Sequence, residues 1–334
     1  MALDVGGPGA RSLTTVRTGP RSRELHDLEV SARGLTFNAV EVGPGDGRAV
    51  LFLHGFPQTS YSWHHQLEAL GAARYRALAF DQRGYSPKAR PPTVDDYRIA
   101  ELVADVLAVA DHWGLDRFDL VGHDWGAMVA WVVAGRHPDR VRTLTAVSVP
   151  HPRAFAAAFG AGTSDSQESG AGGGGGASRS EKDTAGDEDQ RQRSSYIEVF
   201  RAEGGVAERA LLGEDGSGSG LRAMFDASGL SSDTDEVRQF VATMLEPGAL
   251  TAALNWYRAT EPHALTDVGA ITVPTLYVWS DEDIALGRMA AEATVDWVSG
   301  PYRFEVLEGV SHWIPETAPR ELNRLLLEHL AAHT

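Results

Sequence analysis

The sequence predicts an α/β fold in which a mostly parallel, doubly wound sheet carries an inserted helical cap. Short apolar runs end at turns that contain glycine or proline, and segments with helical spacing lie between them. This alternation stops at Pro150-His151-Pro152 and resumes only near residue 271, which indicates the insertion. With 334 residues, of which 43% are apolar, the chain can bury a substantial core.

Four apolar runs that precede the break are predicted strands. Continuous apolar runs are typical of strands buried on both faces of a parallel sheet. The segments between them place apolar side chains at the helical period, and Gly114 ends one of these segments. The predicted strands are 48–53, 75–81, the run from Asp119 towards Asp124, and 141–149, and the predicted helices are 60–70, 97–113 and 125–136.

A low-complexity segment interrupts the region after the break. Residues 160–193 include five consecutive glycines among Ser, Asp, Glu and Gln. Such a composition cannot bury enough apolar surface to offset the entropy of ordering, so we expect this segment to be disordered. The remainder of residues 151–265 is mainly helical in pattern and is predicted to form the cap.

Two parts of the sheet domain flank this cap. We assign residues 26–150 to the first part and residues 266–334 to the second, with predicted strands at 271–279 and 302–307 and a helix at 320–331. The N-terminal stretch to Val30 is rich in Gly, Arg and Ser, and residues 1–25 are predicted to be a flexible leader rather than a signal peptide.

The composition narrows the class of partners. A net charge of −16 disfavours binding to nucleic acid or to anionic membranes. The chain has no cysteine, which excludes disulfides and thiolate chemistry. No apolar run is long enough to predict a membrane span, so we expect a cytoplasmic protein.

The run from Asp119 to Ala127 contains the most specific chemical signal. It predicts a buried strand, a sharp turn and a helix, with Asp124 at the tip and Gly122 and Gly126 two positions away on either side. This is the nucleophile-elbow pattern G-x-S-x-G of α/β-hydrolases, with aspartate in place of serine. An aspartate nucleophile forms an alkyl ester, which indicates opening of a C–O or C–halogen bond at a saturated carbon.

Hydrolysis of such an ester requires a base that is neutral near pH 7, and histidine fits this need. Among the 12 histidines, His312 is favoured because it follows the last predicted strand, at the sheet edge where catalytic groups gather. His123 adjoins the predicted nucleophile, but on a sharp turn its side chain should point elsewhere, so we interpret it as a packed residue.

The histidine also needs a carboxylate to orient it. Asp281, Glu282 and Asp283 all follow the strand that ends at Trp279, and no carboxylate lies in residues 147–150, the other suitable strand end. The residues themselves therefore predict the segment but not which of the three acids takes the role.

Six motifs, in order, resemble those of the α/β-hydrolase epoxide hydrolases. The similarity extends from about residue 35 to the C-terminus, apart from the low-complexity segment. The motifs are His54-Gly55-Phe56-Pro57, Asp81-Gln82-Arg83-Gly84-Tyr85-Ser86, Gly122-His123-Asp124-Trp125-Gly126, Asn255-Trp256-Tyr257-Arg258, Trp279-Ser280-Asp281-Glu282-Asp283 and Gly309-Val310-Ser311-His312-Trp313.

The resemblance implies an activity, the hydrolysis of a small apolar epoxide by water, and a role for several residues. Asp283 takes the position of the orienting acid. The backbone N–H groups of Phe56 and Trp125 form an oxyanion hole, and a cis peptide bond joins Phe56 to Pro57. Tyr257 and Tyr196 donate hydrogen bonds to the epoxide oxygen.

The predicted substrate-binding residues are Trp125, Phe56 and Trp313. Nothing in the sequence indicates a metal or an organic cofactor, because no metal-ligand spacing and no phosphate-binding glycine loop is present. The sequence does not indicate an oligomeric state.

Other functions use the same scaffold. A haloalkane dehalogenase shares the Asp-His-Asp residues and would use Trp125, but Phe56 stands where many such enzymes have Asn. A fluoroacetate dehalogenase would need arginines beside the elbow, where Ala127 and Met128 lie. A non-catalytic ligand-binding homologue is a third alternative, and the complete set of candidate catalytic residues argues against it.

Overall fold

The computed structural model of the protein describes residues 25–160, 190–260 and 265–334. An eight-stranded sheet forms the centre, in the order β1-β2-β4-β3-β5-β6-β7-β8. The strands from β3 onward are parallel to one another, whereas β1 and β2 form an antiparallel pair at one edge. The strands are β1 His26–Ala32, β2 Leu35–Val42, β3 Ala49–Leu53, β4 Arg76–Phe80, β5 Phe118–His123, β6 Val141–Val147, β7 Thr275–Ser280 and β8 Tyr302–Leu307.

Helices cover both faces of the sheet, as the predicted doubly wound architecture requires. One apolar cluster joins β3 and β7 to helices α1 and α12, and the other joins the opposite face to α2, α3 and the cap. The helices of the sheet domain are α1 His64–Ala72, α2 Ile99–His112, α3 Trp125–Arg136, α10 Arg288–Glu292, α11 Ile314–Thr317 and α12 Pro319–Ala332, with 3-10 helices at Ser60–Trp63, Val94–Tyr97 and Ala293–Trp297.

The cap is helical and lies between β6 and β7 in the chain, as predicted. Its described helices are α4 Pro152–Gly160, α5 Tyr196–Arg201, α6 Val206–Leu212, α7 Ser219–Ala227, α8 Asp235–Met244 and α9 Ala249–Ala259. In the described parts of the chain, no helix has both the length and the apolar character that a membrane crossing requires.

The hairpin of β1 and β2 was not predicted from the sequence. Its first strand, β1, includes residues 26–30, which belong to the N-terminal stretch rich in Gly, Arg and Ser. The pattern of β1 alternates between half-buried and exposed side chains, which gives a weaker signal than a continuous apolar run. Arg33 and Gly34 form the two-residue turn with φ of 51° and 76°, a conformation typical of tight hairpins. Residues 1–24 lie outside the described residues.

Two predicted boundaries were wrong. Residues 190–193, assigned to the disordered segment, are helical, and the buried Gln190 amide bonds the backbone of Ala285 and Gly287. These contacts explain the order, since they satisfy a buried polar group; residues 161–189 lie outside the described residues. The strand predicted from residue 271 begins at Thr275, because Pro274 has no N–H group to donate to the sheet.

Close backbone packing fixes the turn between β5 and α3. A Cβ atom on Gly126 would lie 2.1 Å from the carbonyl oxygen of Leu53, and one on Gly122 would lie 2.3 Å from the carbonyl oxygen of Gly126. Helix α3 therefore starts in direct contact with the end of β3. This contact holds the tip of the turn at the carboxyl edge of the sheet.

Gly126→Ala should lower the free energy of unfolding by at least about 1–3 kcal/mol, because the new methyl group would meet the backbone carbonyl oxygen of Leu53, which cannot rotate away. The free energy of unfolding measured in urea tests this expectation. Gly269→Ala is the matched control, since its Cβ would meet no atom within 4 Å. Equal stability of the two variants would contradict the account of the turn.

Candidate active site

Asp124 occupies the tip of the turn in a strained conformation. Its φ of 51° and ψ of −123° lie in a region that residues other than glycine rarely adopt. The residue is 9% exposed, and its Oδ1 accepts a hydrogen bond of 2.8 Å from the backbone N–H of Phe56. The elbow geometry predicted from the sequence is therefore present, with the carboxylate held between β5 and the loop after β3.

His312 lies between two carboxylates. Its Nδ1 is 2.8 Å from Oδ2 of Asp283, and its Nε2 is 3.6 Å from Oδ2 of Asp124. The other oxygen of Asp283 accepts hydrogen bonds from the backbone N–H groups of Ala285 and Leu286, at 2.8 and 3.0 Å. The ring of His312 is thus oriented with Nε2 towards Asp124.

The structure distinguishes the three neighbouring acids that the residues alone left open. Asp283 is buried against His312, whereas Asp281 and Glu282 are exposed. Asp281 instead accepts a hydrogen bond from the backbone N–H of Gly309. The geometry therefore brings together Asp124, His312 and Asp283 from three separate loops.

The two carboxylates control the charge on His312. Burial opposes the charged imidazole, but the charge of Asp283, a hydrogen bond with each of Asp124 and Asp283, and the charge of Asp124 raise the pKa of His312 to about 10. Burial alone would raise the pKa of Asp124, yet the hydrogen bond and charge of His312 hold that pKa below its ordinary value. At neutral pH the resting site therefore pairs an imidazolium with an ionised nucleophile candidate.

The loop after β3 provides the N–H group that faces Asp124. The peptide bond between Phe56 and Pro57 is cis, as the resemblance implied. The ring of Phe56 packs against Phe200 and Tyr257, both with centroids at 5.3 Å. Trp125, the second predicted oxyanion-hole residue, is the first residue of α3, directly after Asp124.

Tyr196 and Tyr257 both line a cavity above Asp124. Their rings lie 6.4 Å apart, and they come from different cap helices, α5 and α9. Burial raises the pKa of both phenols, and the charge of Asp124 adds to the effect. Both hydroxyl groups therefore keep their protons and are hydrogen-bond donors at neutral pH.

The cavity has a volume of about 970 Å³, which suits a small to medium-sized organic ligand. Apolar side chains such as Met128, Phe155 and Leu286 form much of its wall, with Asp124 at its base. Of the three predicted substrate-binding residues, Trp125 is among the described lining residues.

Phe56 and Trp313, the other two predicted substrate-binding residues, are not among the described residues that line the cavity. Trp313 is 4% exposed, donates from its indole nitrogen to Oγ of Ser228 at 2.8 Å, and packs against the His312 ring with centroids 5.1 Å apart. Trp313 therefore supports the ring of His312 by packing against it, while its indole nitrogen is occupied by the hydrogen bond with Ser228.

A buried polar network behind Asp124 was not predicted from the sequence. Gln58 lies between His123 and Glu316, with contacts of 2.9 and 2.6 Å. His123 is fully buried and also contacts the carbonyl oxygen of His312 at 2.9 Å. The interpretation of His123 as a packed residue is confirmed, but the involvement of Gln58 and Glu316 required the tertiary structure.

One group among the described residues has the composition of a metal site. Atoms of His64, His65 and Glu236 lie within 4.8 Å of one another where the start of α1 meets cap helix α8. Glu236 also forms ion-pair contacts with both histidines, at 3.6 and 3.9 Å. The group is separate from the residues around Asp124.

Asp283→Asn should lower the pKa of His312 from about 10, because it removes the charge that raises this pKa most. NMR titration of the imidazole signals measures the change directly. Asp281→Asn is the matched control, since Asp281 is exposed and its carboxylate accepts a hydrogen bond from the Gly309 N–H, away from His312. An unchanged His312 pKa in Asp283→Asn would contradict the described electrostatics.

Comparison with known proteins agrees with this geometry. A family model described as the alpha/beta hydrolase fold matches residues 48–161. The AB hydrolase superfamily protein YfhM of Bacillus subtilis is 31% identical over 307 residues, which cover 90% of this chain and 96% of that protein. Epoxide hydrolase A of Mycobacterium tuberculosis is 31% identical over 310 residues, with coverage of 90% and 96%.

Solved structures are similar as well. The crystal structure of Epoxide Hydrolase A from Mycobacterium thermoresistibile has a TM-score of 0.72 and 28% identity, and covers 92% of this chain and 98% of that one. Epoxide hydrolase VrEH1 from Vigna radiata has a TM-score of 0.74 and 25% identity, with coverage of 93% and 100%. With these matches over most of its length, the chain belongs to the epoxide hydrolase family of the α/β-hydrolase fold.

Proposed function

We propose that the protein hydrolyses a small apolar epoxide to a vicinal diol through an alkyl ester on Asp124. The observation that carries the proposal is one cavity with the Asp124 carboxylate at its base and two phenol donors, Tyr196 and Tyr257, in its wall. A nucleophile and an acid on opposite sides of a bound epoxide are what ring opening requires. Relatives named epoxide hydrolases, similar over most of the chain, support the same reaction.

In the first step, an oxygen of Asp124 attacks an epoxide carbon and the C–O bond of the ring breaks. The ionised state of Asp124 and its hydrogen bond from Phe56 prepare it for this attack. The epoxide oxygen takes a proton from Tyr196 or Tyr257, and the proton that leaves His312 restores the phenol. The products are a hydroxyalkyl ester and a neutral imidazole.

The change in charge on Asp124 explains how His312 becomes a base. The ester is uncharged, so one of the two carboxylates that raise the pKa of His312 no longer acts on it. The pKa of His312 then falls, and Asp283 alone keeps the ring oriented through Nδ1. Neutral Nε2 is therefore free to accept a proton at the stage where water must be activated.

In the second step, His312 takes a proton from a water molecule that attacks the ester carbon. The tetrahedral oxyanion is stabilised by the backbone N–H groups of Phe56 and Trp125. The ester C–O bond then breaks, the diol leaves with the carboxyl proton, and Asp124 and His312 return to the ionised pair. The oxygen that Asp124 gives to the first diol is replaced by an oxygen from water.

A haloalkane dehalogenase is the alternative with the same nucleophile, base and acid. It would use the Trp125 indole to bind the departing halide, but the ring of Trp125 packs edge to face against Tyr257, with centroids 5.0 Å apart. The phenol pair has no use in halide release, because a halide ion leaves without a proton. Both features favour the epoxide as the substrate.

The cytoplasmic location expected from the sequence stays a prediction.

Tyr257→Phe should reduce epoxide turnover by about 10²- to 10⁴-fold, or less where Tyr196 continues to donate, because it removes an acid that protonates the alkoxide. Turnover of styrene oxide and of a 1-haloalkane, measured side by side, tests this expectation, and any haloalkane activity should change little. Tyr302→Phe, on the edge strand β8, is the matched control.

Two results would count against the assignment. If the double variant Tyr196→Phe, Tyr257→Phe opens epoxides at a rate comparable to the unmodified protein, the phenols are not the acids. If the unmodified protein removes halide faster than it opens epoxides, the dehalogenase is the better description.

A further inference from the structure

Three polar side chains, of which His123 and Gln58 are buried and Glu316 is half-buried, link the base of the site to its two functional loops. We name His123, Gln58 and Glu316 the polar chain. One end meets the carbonyl oxygen of His312, 2.9 Å from Nε2 of His123. At the middle, Oε1 of Gln58 accepts a hydrogen bond of 3.2 Å from the N–H of Gly55, the residue before Phe56. The polar chain thus touches both the base loop and the oxyanion loop.

The hydrogen-bond donors and acceptors of the polar chain do not match when His123 is neutral and Glu316 is ionised. The carbonyl of His312 can only accept, so Nε2 of His123 must carry a proton. A neutral His123 then has a bare Nδ1, and this atom lies 2.9 Å from Oε1 of Gln58, which is also an acceptor. A neutral His123 beside an ionised Glu316 therefore leaves two acceptors facing each other.

Rotating the Gln58 amide does not remove the conflict. Its NH₂ group would then face Nδ1 of His123, but its oxygen would lie 2.6 Å from Oε1 of Glu316. An ionised carboxylate cannot donate, so the acceptor pair only moves to the other end of the amide. Ser62, which contacts both Gln58 and Glu316 at 2.9 and 2.6 Å, has a single proton and already donates it to Glu316.

One additional proton resolves the conflict in either of two ways. A proton on Nδ1 of His123 donates to Gln58, whose NH₂ group donates to ionised Glu316. Alternatively, a proton on Glu316 donates to the rotated Gln58, whose NH₂ group donates to Nδ1 of His123. This arrangement gives up the long bond from Gly55 and the bond that Gln58 donates to Ser62. Neither arrangement has a net charge: the first is an ion pair linked through Gln58, and the second contains no charged group.

We infer that in the active protein His123 and Glu316 share one proton through Gln58, and that Glu316 is a positioning residue for the two loops that hold His312 and Phe56. This inference rests on the proposed function, because it assigns those loops a role in catalysis. Loss of the shared proton would place an unfavourable acceptor pair between them and loosen the contact with the His312 carbonyl.

The surroundings of His123 and Glu316 indicate at which pH the shared proton is lost. Burial and the nearby His312 lower the pKa of His123 to about 3, against the opposing charges of Asp124 and Asp283. Burial raises the pKa of Glu316 to about 7, although Ser62 and Gln58 favour the carboxylate; Glu236 raises it further. Oε2 of Glu316 is buried without a hydrogen-bond partner among the residues that the structure describes. The shared proton should therefore leave as the pH rises through about 7.

Glu316→Gln tests the inference, because glutamine can donate to the rotated Gln58 but has no proton to lose. We expect kcat of the full-length protein to fall roughly ten-fold between about pH 6 and about pH 9, and the fall to be absent in Glu316→Gln. Ser62→Ala should keep the fall but shift it to higher pH, since the Ser62 hydroxyl favours the carboxylate. Glu308→Gln, an exposed position, should match the unmodified protein.

A second measurement does not depend on turnover. Because the pKa of His123 is lowered and that of Glu316 is raised, the shared proton should reside on Glu316 at about pH 6. The infrared carbonyl band of this carboxylic acid should therefore disappear from the unmodified protein between about pH 6 and about pH 9, and should be missing throughout in Glu316→Gln. Two results would overturn the inference: a carbonyl band that persists in Glu316→Gln, or a pH profile of kcat that is the same in Glu316→Gln as in the unmodified protein. The band can still be observed if the protein proves to act on another substrate, so the two proposals fail separately.

Discussion

The placement of one imidazole between two buried carboxylates is the interaction on which the rest of the site depends. His312 contacts Asp283 at 2.8 Å and Asp124 at 3.6 Å, and neither acid is more than slightly exposed. In the proposed mechanism, this arrangement holds a proton on His312 while Asp124 is free, and His312 gives up that proton once Asp124 has become an ester. Under this proposal, a single change of charge on Asp124 converts His312 from a counter-ion into a base.

The fold supports this arrangement by bringing strand ends together at one edge. Asp124 follows β5, Asp283 follows β7 and His312 follows β8, so parallel strands deliver all three side chains to the carboxyl side of the sheet. Close packing at Gly122 and Gly126 keeps the strained turn in place. The cap adds the two phenols, Tyr196 and Tyr257, and part of the apolar wall of the cavity.

Features that depend on local pattern could be predicted from the sequence, and features that depend on tertiary position could not. Continuous apolar runs gave the central strands, and the spacing around Asp124 gave the elbow. The β1–β2 hairpin could not be predicted, because the alternation of apolar and polar side chains in its half-exposed strands is weak. The polar chain could not be found, since its three residues lie far apart in the sequence and their meaning comes from donor and acceptor atoms that only folding brings into contact. Asp283 could be separated from its two acidic neighbours only through resemblance to a family.

Single turnover in water enriched in heavy oxygen, with excess protein over epoxide, tests the covalent role of Asp124 most directly. The account predicts that the first diol carries only ordinary oxygen from the carboxylate, and that mass spectrometry finds the heavy isotope in the peptide that contains Asp124. Heavy oxygen in the diol of the first turnover, with an unlabelled Asp124 peptide, would mean direct attack by water and would contradict the account.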